Sequence, residues 1–276
     1  MQQISSRHNS IVARFRDAAR RAAPLDASTL LEGPRLIEDA LAAGVTIDVA
    51  AVSSAQTTRD RWSSLLERLG HVTQLVHVSP SVMAALSPLS TPTGLVAIAS
   101  LRPAPFESTI RAAQPLVLSL VGVQDPGNTG AVIRAAEAGG ATGVVTVAGA
   151  DPYGWKALRG SMGSTLRLPV VRADDAERIR ADARARGLHQ FAAVPRGGTP
   201  TTDADLSRPC LIWLGAEGGG LAPPLMDDAD ELVSVPMPAP VESLNIAVAS
   251  ALIVYEAARQ RARRTAPSLA ARGPSA

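Results

Sequence analysis

Asp125-Pro126-Gly127-Asn128-Thr129-Gly130, followed by Arg134, sets a carboxylate, an amide and a guanidinium around a tight glycine turn. The apolar run Leu116–Val123 precedes it, and helical character over Asn128–Gly139 follows. A helix start attracts anions because its first N–H groups are unpaired, and Asn128 has the side chain to cap this one. Arg134 is flanked by Ala131-Val132-Ile133 and Ala135-Ala136. A charge so placed is seldom left without a partner, so a structural ion pair competes with a functional role. No G-x-G-x-x-G and no G-x-x-x-x-G-K occurs, which speaks against a dinucleotide site or a P-loop.

Two further segments have the same form, polar groups and bare backbone where a strand stops. Leu214-Gly215-Ala216-Glu217-Gly218-Gly219-Gly220-Leu221 has four glycines in six residues, and Glu217 is its only charge. Such backbone can grip a small ligand without side chains; the competing reading is a flexible turn. Val235-Pro236-Met237-Pro238 ends another strand, and Glu242-Ser243-Leu244-Asn245 opens an apolar helix over Ser243–Arg261. Ser and Asn at a helix start ordinarily cap it, and a run as apolar as Ile246–Tyr255 belongs in a core or an interface. A fourth stretch, Lys156–Ser164, joins Lys156 and Arg159 to small residues, either as phosphate contacts or as solvated charges.

The elements that must position these groups alternate. After Leu116–Val123 and its helix come a strand Gly143–Ala148, helices over Ala157–Met162 and Ala176–Gly187, and strands His189–Val194, Pro209–Leu214 and Leu232–Val235. Open α/β sheets bind ligands at strand ends of this kind. Upstream, a basic amphipathic helix over 4–22, helices over 34–43, 58–69 and 81–86, and strands Val45–Ser53, Val72–Val78 and Leu95–Ser100 describe a small α/β domain. Prolines 103, 105 and 115 bracket an extended spacer. The expected division is 1–103, linker 104–115, second domain 116–262 and a disordered tail 263–276.

Composition narrows the classes. The chain has 276 residues, 46% hydrophobic and 19% charged, enough to bury a core. Only 3% are aromatic, which leaves few stacking platforms for single-stranded bases. The net charge is +2, but Arg7, Arg14, Arg16, Arg20 and Arg21 crowd one end and Arg259, Arg261, Arg263, Arg264 and Arg272 the other. Basic ends suit a polyanion; solvated terminal helices are the alternative. The single cysteine, Cys210, lies in an apolar strand and reads as a buried thiol. No secretory h-region or membrane span appears, which implies a cytoplasmic protein. No His/Cys/Asp cluster has metal-ligand spacing, so no metal is expected.

Taken in order, the three strand-end motifs resemble those of the SpoU (TrmH-type) ribose 2'-O-methyltransferases of the SPOUT superfamily, over roughly 116–260. Ser6-Arg7-His8-Asn9, Leu31-Glu32-Gly33-Pro34-Arg35 and Thr91-Pro92-Thr93-Gly94 resemble the L30e-like substrate-binding domain of such enzymes. The resemblance implies an α/β fold with a mostly parallel carboxy-terminal sheet and a deep trefoil knot, preceded by the L30e-like α/β domain. It implies S-adenosylmethionine held by Gly215, Val235 and Leu244, and a catalytic set of Asn128, Arg134, Glu217, Ser243 and Asn245. It also implies a homodimer in which Arg134 acts beside the cofactor of the partner. Many relatives carry Asn where this chain has Ala216. The L30e-like extension favours 23S rRNA as substrate over tRNA. A non-catalytic RNA-binding protein on the same scaffold and a dinucleotide-dependent oxidoreductase are the rival classes.

Overall fold

The computed structural model describes residues 3–20, 28–55 and 62–265. In chain order they form β1 (Gln3–Ile4), α1 (Ser10–Arg20), β2 (Ser28–Glu32), α2 (Pro34–Ala42), β3 (Thr46–Ser53), α3 (Ser63–Val72), β4 (Gln74–Val78), α4 (Pro80–Leu86) and β5 (Leu95–Ser100). These are followed by β6 (Leu116–Val121), α5 (Pro126–Ala138), β7 (Gly143–Val147), α6 (Trp155–Ser161), α7 (Ser164–Arg167), β8 (Val170–Ala173), α8 (Ala176–Ala185) and β9 (His189–Ala193). Last come β10 (Thr199–Pro200), β11 (Cys210–Gly215), α9 (Pro223–Asp227), β12 (Glu231–Ser234) and α10 (Ile246–Thr265). Of the tail expected over 263–276, residues 263–265 continue α10; residues 266–276, Arg21, and the first turn of the helix expected from residue 58 lie outside the described residues.

Contacts divide the chain into two compact units, 1–104 with 124–134 and 149–172, and 105–123 with 135–148 and 173–276. The first holds a five-stranded sheet in the order β1-β4-β3-β5-β2. β1, β4 and β3 are parallel, and β5 runs antiparallel to β3 and β2. α1 buries Ile11, Val12, Phe15 and Ala18, a single helical stripe, into its core. That helix begins at Ser10 and not at residue 4, because Asn9 caps it: Oδ1 accepts from Ile11 N at 2.9 Å and the carbonyl from Val12 N at 2.9 Å. In the same unit Tyr153 is locked by its hydroxyl donating to Val170 O at 2.6 Å, while Thr29 Oγ1 donates to Tyr153 O at 2.7 Å. Burial pushes the Tyr153 phenol well above its ordinary pKa.

The second sheet has seven strands in the order β10-β12-β9-β11-β6-β7-β8. β6 pairs in parallel with β7 and β11, β11 with β9, β9 with β12, and β12 with β10. β6, β7 and β11 are buried along nearly their whole length, which is why they read as nearly continuous apolar runs. The expected mostly parallel sheet is therefore present. Within 104–115, residues Phe106–Ile110 form a 3₁₀ turn with Phe106 and Thr109 buried, where the prolines suggested an extended spacer. No described helix is long and apolar enough to cross a membrane.

Candidate functional site

β12, β9 and β11 are neighbours in the sheet, and the second compact unit has a cavity of about 390 Å³ at their carboxyl ends. Its wall includes Ala193–Pro195 at the end of β9, Leu214–Gly218 with Gly220 at the end of β11, Val235 and Met237 after β12, and Glu242–Leu244 before α10. Parallel strands in register bring their ends to one edge, and the chain leaving each end supplies the wall.

The glycine loop is folded back on itself. Ala216 and Gly220 form an antiparallel bridge, with Gly220 N donating to Ala216 O at 2.9 Å. A Cβ on Gly215 would stand 2.1 Å from the Gly220 carbonyl carbon. Only glycine permits that crossing. Gly218 and Gly220 adopt φ of 82° and 63°, which completes the turn.

Glu217 Oε1 accepts from Asn245 Nδ2 at 2.6 Å and from Ile246 N at 3.2 Å. Asn245 Oδ1 accepts from Ala247 N at 2.9 Å, and its carbonyl accepts from Ala249 N. Asn245 is thus the cap of α10, and the helix begins at Ile246 rather than at Ser243. Ser243 is exposed, while Leu244 and Val235 are half-buried against the cavity. The structure therefore brings Gly215, Glu217, Val235, Ser243 and Leu244 to one cavity, with Asn245 bonded to Glu217.

Pro195 and Met237 also line it; Met237 belongs to the third motif without a role assigned to it, and Pro195 did not stand out in the sequence. The signal was the break Pro195-Arg196-Gly197-Gly198 after β9. Arg196 Nη2 donates to Val241 O at 2.6 Å, which anchors the proline-rich segment.

Asn128 and Arg134 lie on α5, in the residues assigned to the first unit. Asp125, not Asn128, caps α5: its Oδ1 accepts from Asn128 N at 2.7 Å and its carbonyl from Thr129 N at 3.0 Å. Pro126 takes the first helical position, where its missing N–H is harmless. Gly130 packs backbone against α6, since a Cβ there would lie 2.4 Å from Ala157 O. Arg134 is exposed and forms no salt bridge among the described residues, so the structural ion pair is not made. Lys156 is exposed, its Nζ 5.7 Å from the Trp155 ring centroid.

The two basic ends differ. Arg7, Arg14, Arg16 and Arg20 are exposed on and beside α1. At the other end, Arg261 donates to the carbonyls of Leu206, Gln114, Pro115 and Arg208, and Arg259 pairs with Glu256. Arg264 donates to Ser207 Oγ at 2.8 Å. Much of the carboxy-terminal charge is spent inside the fold.

Comparison with known proteins gives a concordant result. Residues 115–255 match the SpoU rRNA Methylase family, and residues 19–97 match the MRM3-like substrate binding domain. An uncharacterised tRNA/rRNA methyltransferase of Synechocystis sp. is 32% identical, over 96% of each chain. The 23S rRNA (guanosine(2553)-2'-O)-methyltransferase RlmP of Bacillus subtilis is 29% identical over 92% of this chain and 98% of its own. The AdoMet-bound rRNA methyltransferase of Sinorhizobium meliloti superposes with a TM-score of 0.83 at 27% identity, covering 94% of this chain and 97% of that one. The chain belongs to the SpoU rRNA methylase family and carries an MRM3-like substrate-binding domain on its amino-terminal side.

Proposed function

We infer that the chain transfers the methyl group of S-adenosylmethionine to a ribose 2'-hydroxyl of 23S ribosomal RNA. The observation that carries this is the cavity at the ends of β9, β11 and β12, walled by residues of the second and third strand-end motifs, which fall inside the family match. The named 2'-O specificity of the Bacillus subtilis relative supports the reaction and its RNA class. The site of action is then the cytoplasm, where such a substrate is available.

The cavity suits the methyl donor. It lies within the usual range for small-molecule sites, roughly 300–1,000 Å³, and its wall is mostly apolar. Gly215, Val235 and Leu244 would hold the donor, with loop backbone supplying the polar contacts. When bound, the donor supplies an electrophilic methyl. Knotting of these loops, as the family resemblance implies, would make the cavity wall rigid. Glu217 positions the loop against α10 through Asn245.

The acceptor is a weak nucleophile, so it must be aligned and its proton loss assisted. Asn128, Ser243 and Asn245 orient the ribose and Arg134. A guanidinium stays protonated and is a poor base. Arg134 instead fixes a phosphate and stabilises charge developing on the 2'-oxygen.

The working form is a homodimer, with Arg134 of one protomer acting at the cofactor of its partner. Val248, Leu252 and Tyr255 of α10 are 49%, 47% and 56% exposed and form one apolar stripe, which supports a subunit contact.

The test is tritium transfer from labelled S-adenosylmethionine to total rRNA and, separately, total tRNA, followed by digestion to nucleosides. Label in a 2'-O-methylnucleoside from large-subunit rRNA is the expected result. Label in tRNA alone overturns the substrate, and label in a base overturns the reaction.

A further inference from the structure

The first compact unit contains a second cavity, of about 220 Å³. Glu32, Arg35 and Thr93 form one side, and Leu158, Arg159 and Met162 the other. Glu32 is only 7% exposed. Its Oε1 accepts from Thr93 N at 3.1 Å and from Thr93 Oγ1 at 2.8 Å, which fills that oxygen. Oε2 is withdrawn from water and has no hydrogen-bond partner among the described residues. An unpaired buried carboxylate oxygen is costly, and a donor brought by a ligand would relieve it.

A second, independent feature stands at the mouth. Met162 has φ 50°, in the left-handed region, and is followed by Gly163 at 84°. Met162 is 54% exposed. Backbone strain spent on exposing a large apolar side chain is a mark of ligand sites. Arg35, with a side chain 79% exposed, and Arg159 add positive charge to the rim, where Asp39, which also lines the cavity, lies 3.6 Å from the Arg35 guanidinium. A thioether for a flat ring, the deep Glu32 acceptor and two cations outside, Arg35 being paired with Asp39, are the complement of a nucleotide.

We propose that this cavity holds one unstacked base of the RNA substrate, and that Glu32 Oε2 selects bases bearing an exocyclic amino group. The proposal rests on the RNA methyltransferase reading. Adenine, cytosine and guanine each offer an amino N–H to a carboxylate. Uracil offers one edge N–H between two carbonyl oxygens, which the carboxylate repels. The Met162 and Arg35 side chains swing outward to admit the base, and phosphates meet Arg35 and Arg159.

The test uses the full chain saturated with S-adenosylhomocysteine, so that the methyl-donor site is filled. The four 5'-nucleoside monophosphates are titrated by ligand-observed NMR. AMP, CMP and GMP should bind about five-fold tighter than UMP. Glu32→Gln keeps an oxygen for Thr93 and replaces Oε2 by an N–H donor, so the order should invert towards UMP. Met162→Gly should weaken all four without lowering the melting temperature, since glycine removes the left-handed strain. Equal binding of all four nucleotides, an order unchanged in Glu32→Gln, or no binding up to about 10 mM overturns the pocket. Methyl transfer to rRNA is measured in parallel. Transfer without base selection fells the pocket alone, and base selection without transfer fells the enzymatic reading alone.

Discussion

The Asn245 amide donates a 2.6 Å hydrogen bond to the Glu217 carboxylate, across 28 residues of chain. The bond ties the glycine loop after β11 to the first turn of α10. The same oxygen also accepts from Ile246 N, so a negative charge sits at the helix start, where the macrodipole favours it. Glu217→Ala should fray that turn, loosen the loop and raise the Kd for S-adenosylmethionine about ten-fold, or ~1.4 kcal/mol. Glu217→Gln keeps an acceptor and should lose less than half of that. Calorimetric titration separates them. Unchanged affinity in Glu217→Ala would remove this tie from the account of the cofactor site.

Gly215 and Gly219 make a matched pair in the same loop. A Cβ at 215 would collide with Gly220 and Leu221 backbone, whereas at 219 it meets nothing within 4 Å. Gly215→Ala should abolish cofactor binding and lower the melting temperature. Gly219→Ala should change neither by a measurable amount. Similar behaviour of the two variants would mean that the backbone crossing does not shape the cavity.

Cys210 gives a pH signature. Burial lifts its thiol from 9.0 to about 11, while nearby Arg261 offsets part of the rise. The folded chain therefore keeps the proton that the unfolded chain loses above pH 9. The stabilisation is complete below pH 9 and is lost as pH rises from 9 towards 11. Unfolding free energies from urea titrations at pH 8 and pH 10.5 should fall further for the wild type than for Cys210→Ala, by on the order of 2 kcal/mol. Parallel falls in the two proteins would show the thiol to be less shielded than its burial indicates.

The alternation of strands and helices was legible because most buried strands are apolar runs closed by glycine or proline, as β2 is by Gly33, β4 by Pro80 and β6 by Gly122. The three strand ends were legible for the same reason. Pairings of two residues were not: β1 against His77 and Val78, and β10 against Val233 and Ser234, are too short to carry periodicity. Strand order was equally hidden, since β11 lies between β9 and β6 through contacts distant in sequence. Charge was legible as composition but not as use. Arg261 looked like part of a basic tail, yet it closes backbone carbonyls from two separate segments, Gln114–Pro115 and Leu206–Arg208. Capping was misassigned in α5, where both Asp125 and Asn128 are good caps and only the turn geometry chooses Asp125.

Arg134 is the decisive residue for the proposed chemistry. It is exposed, and no ion pair among the described residues holds it, so its removal should leave the fold intact. Arg134→Ala should melt at the wild-type temperature and bind S-adenosylmethionine with unchanged Kd. Its kcat for rRNA methylation should fall by about 10²–10³, the usual loss for a preorganised charge-stabilising group. Arg134→Lys keeps the charge but not the planar fork, and should recover only part of the rate. The pH profile discriminates between roles. An arginine acting as base would give Arg134→Lys a rate that rises steeply with pH as its amine loses its proton. An arginine that holds phosphate and stabilises the 2'-oxygen gives the opposite slope above pH 10, because the replacing cation is then neutralised. A flat profile with full activity in Arg134→Ala would take Arg134 out of the reaction altogether.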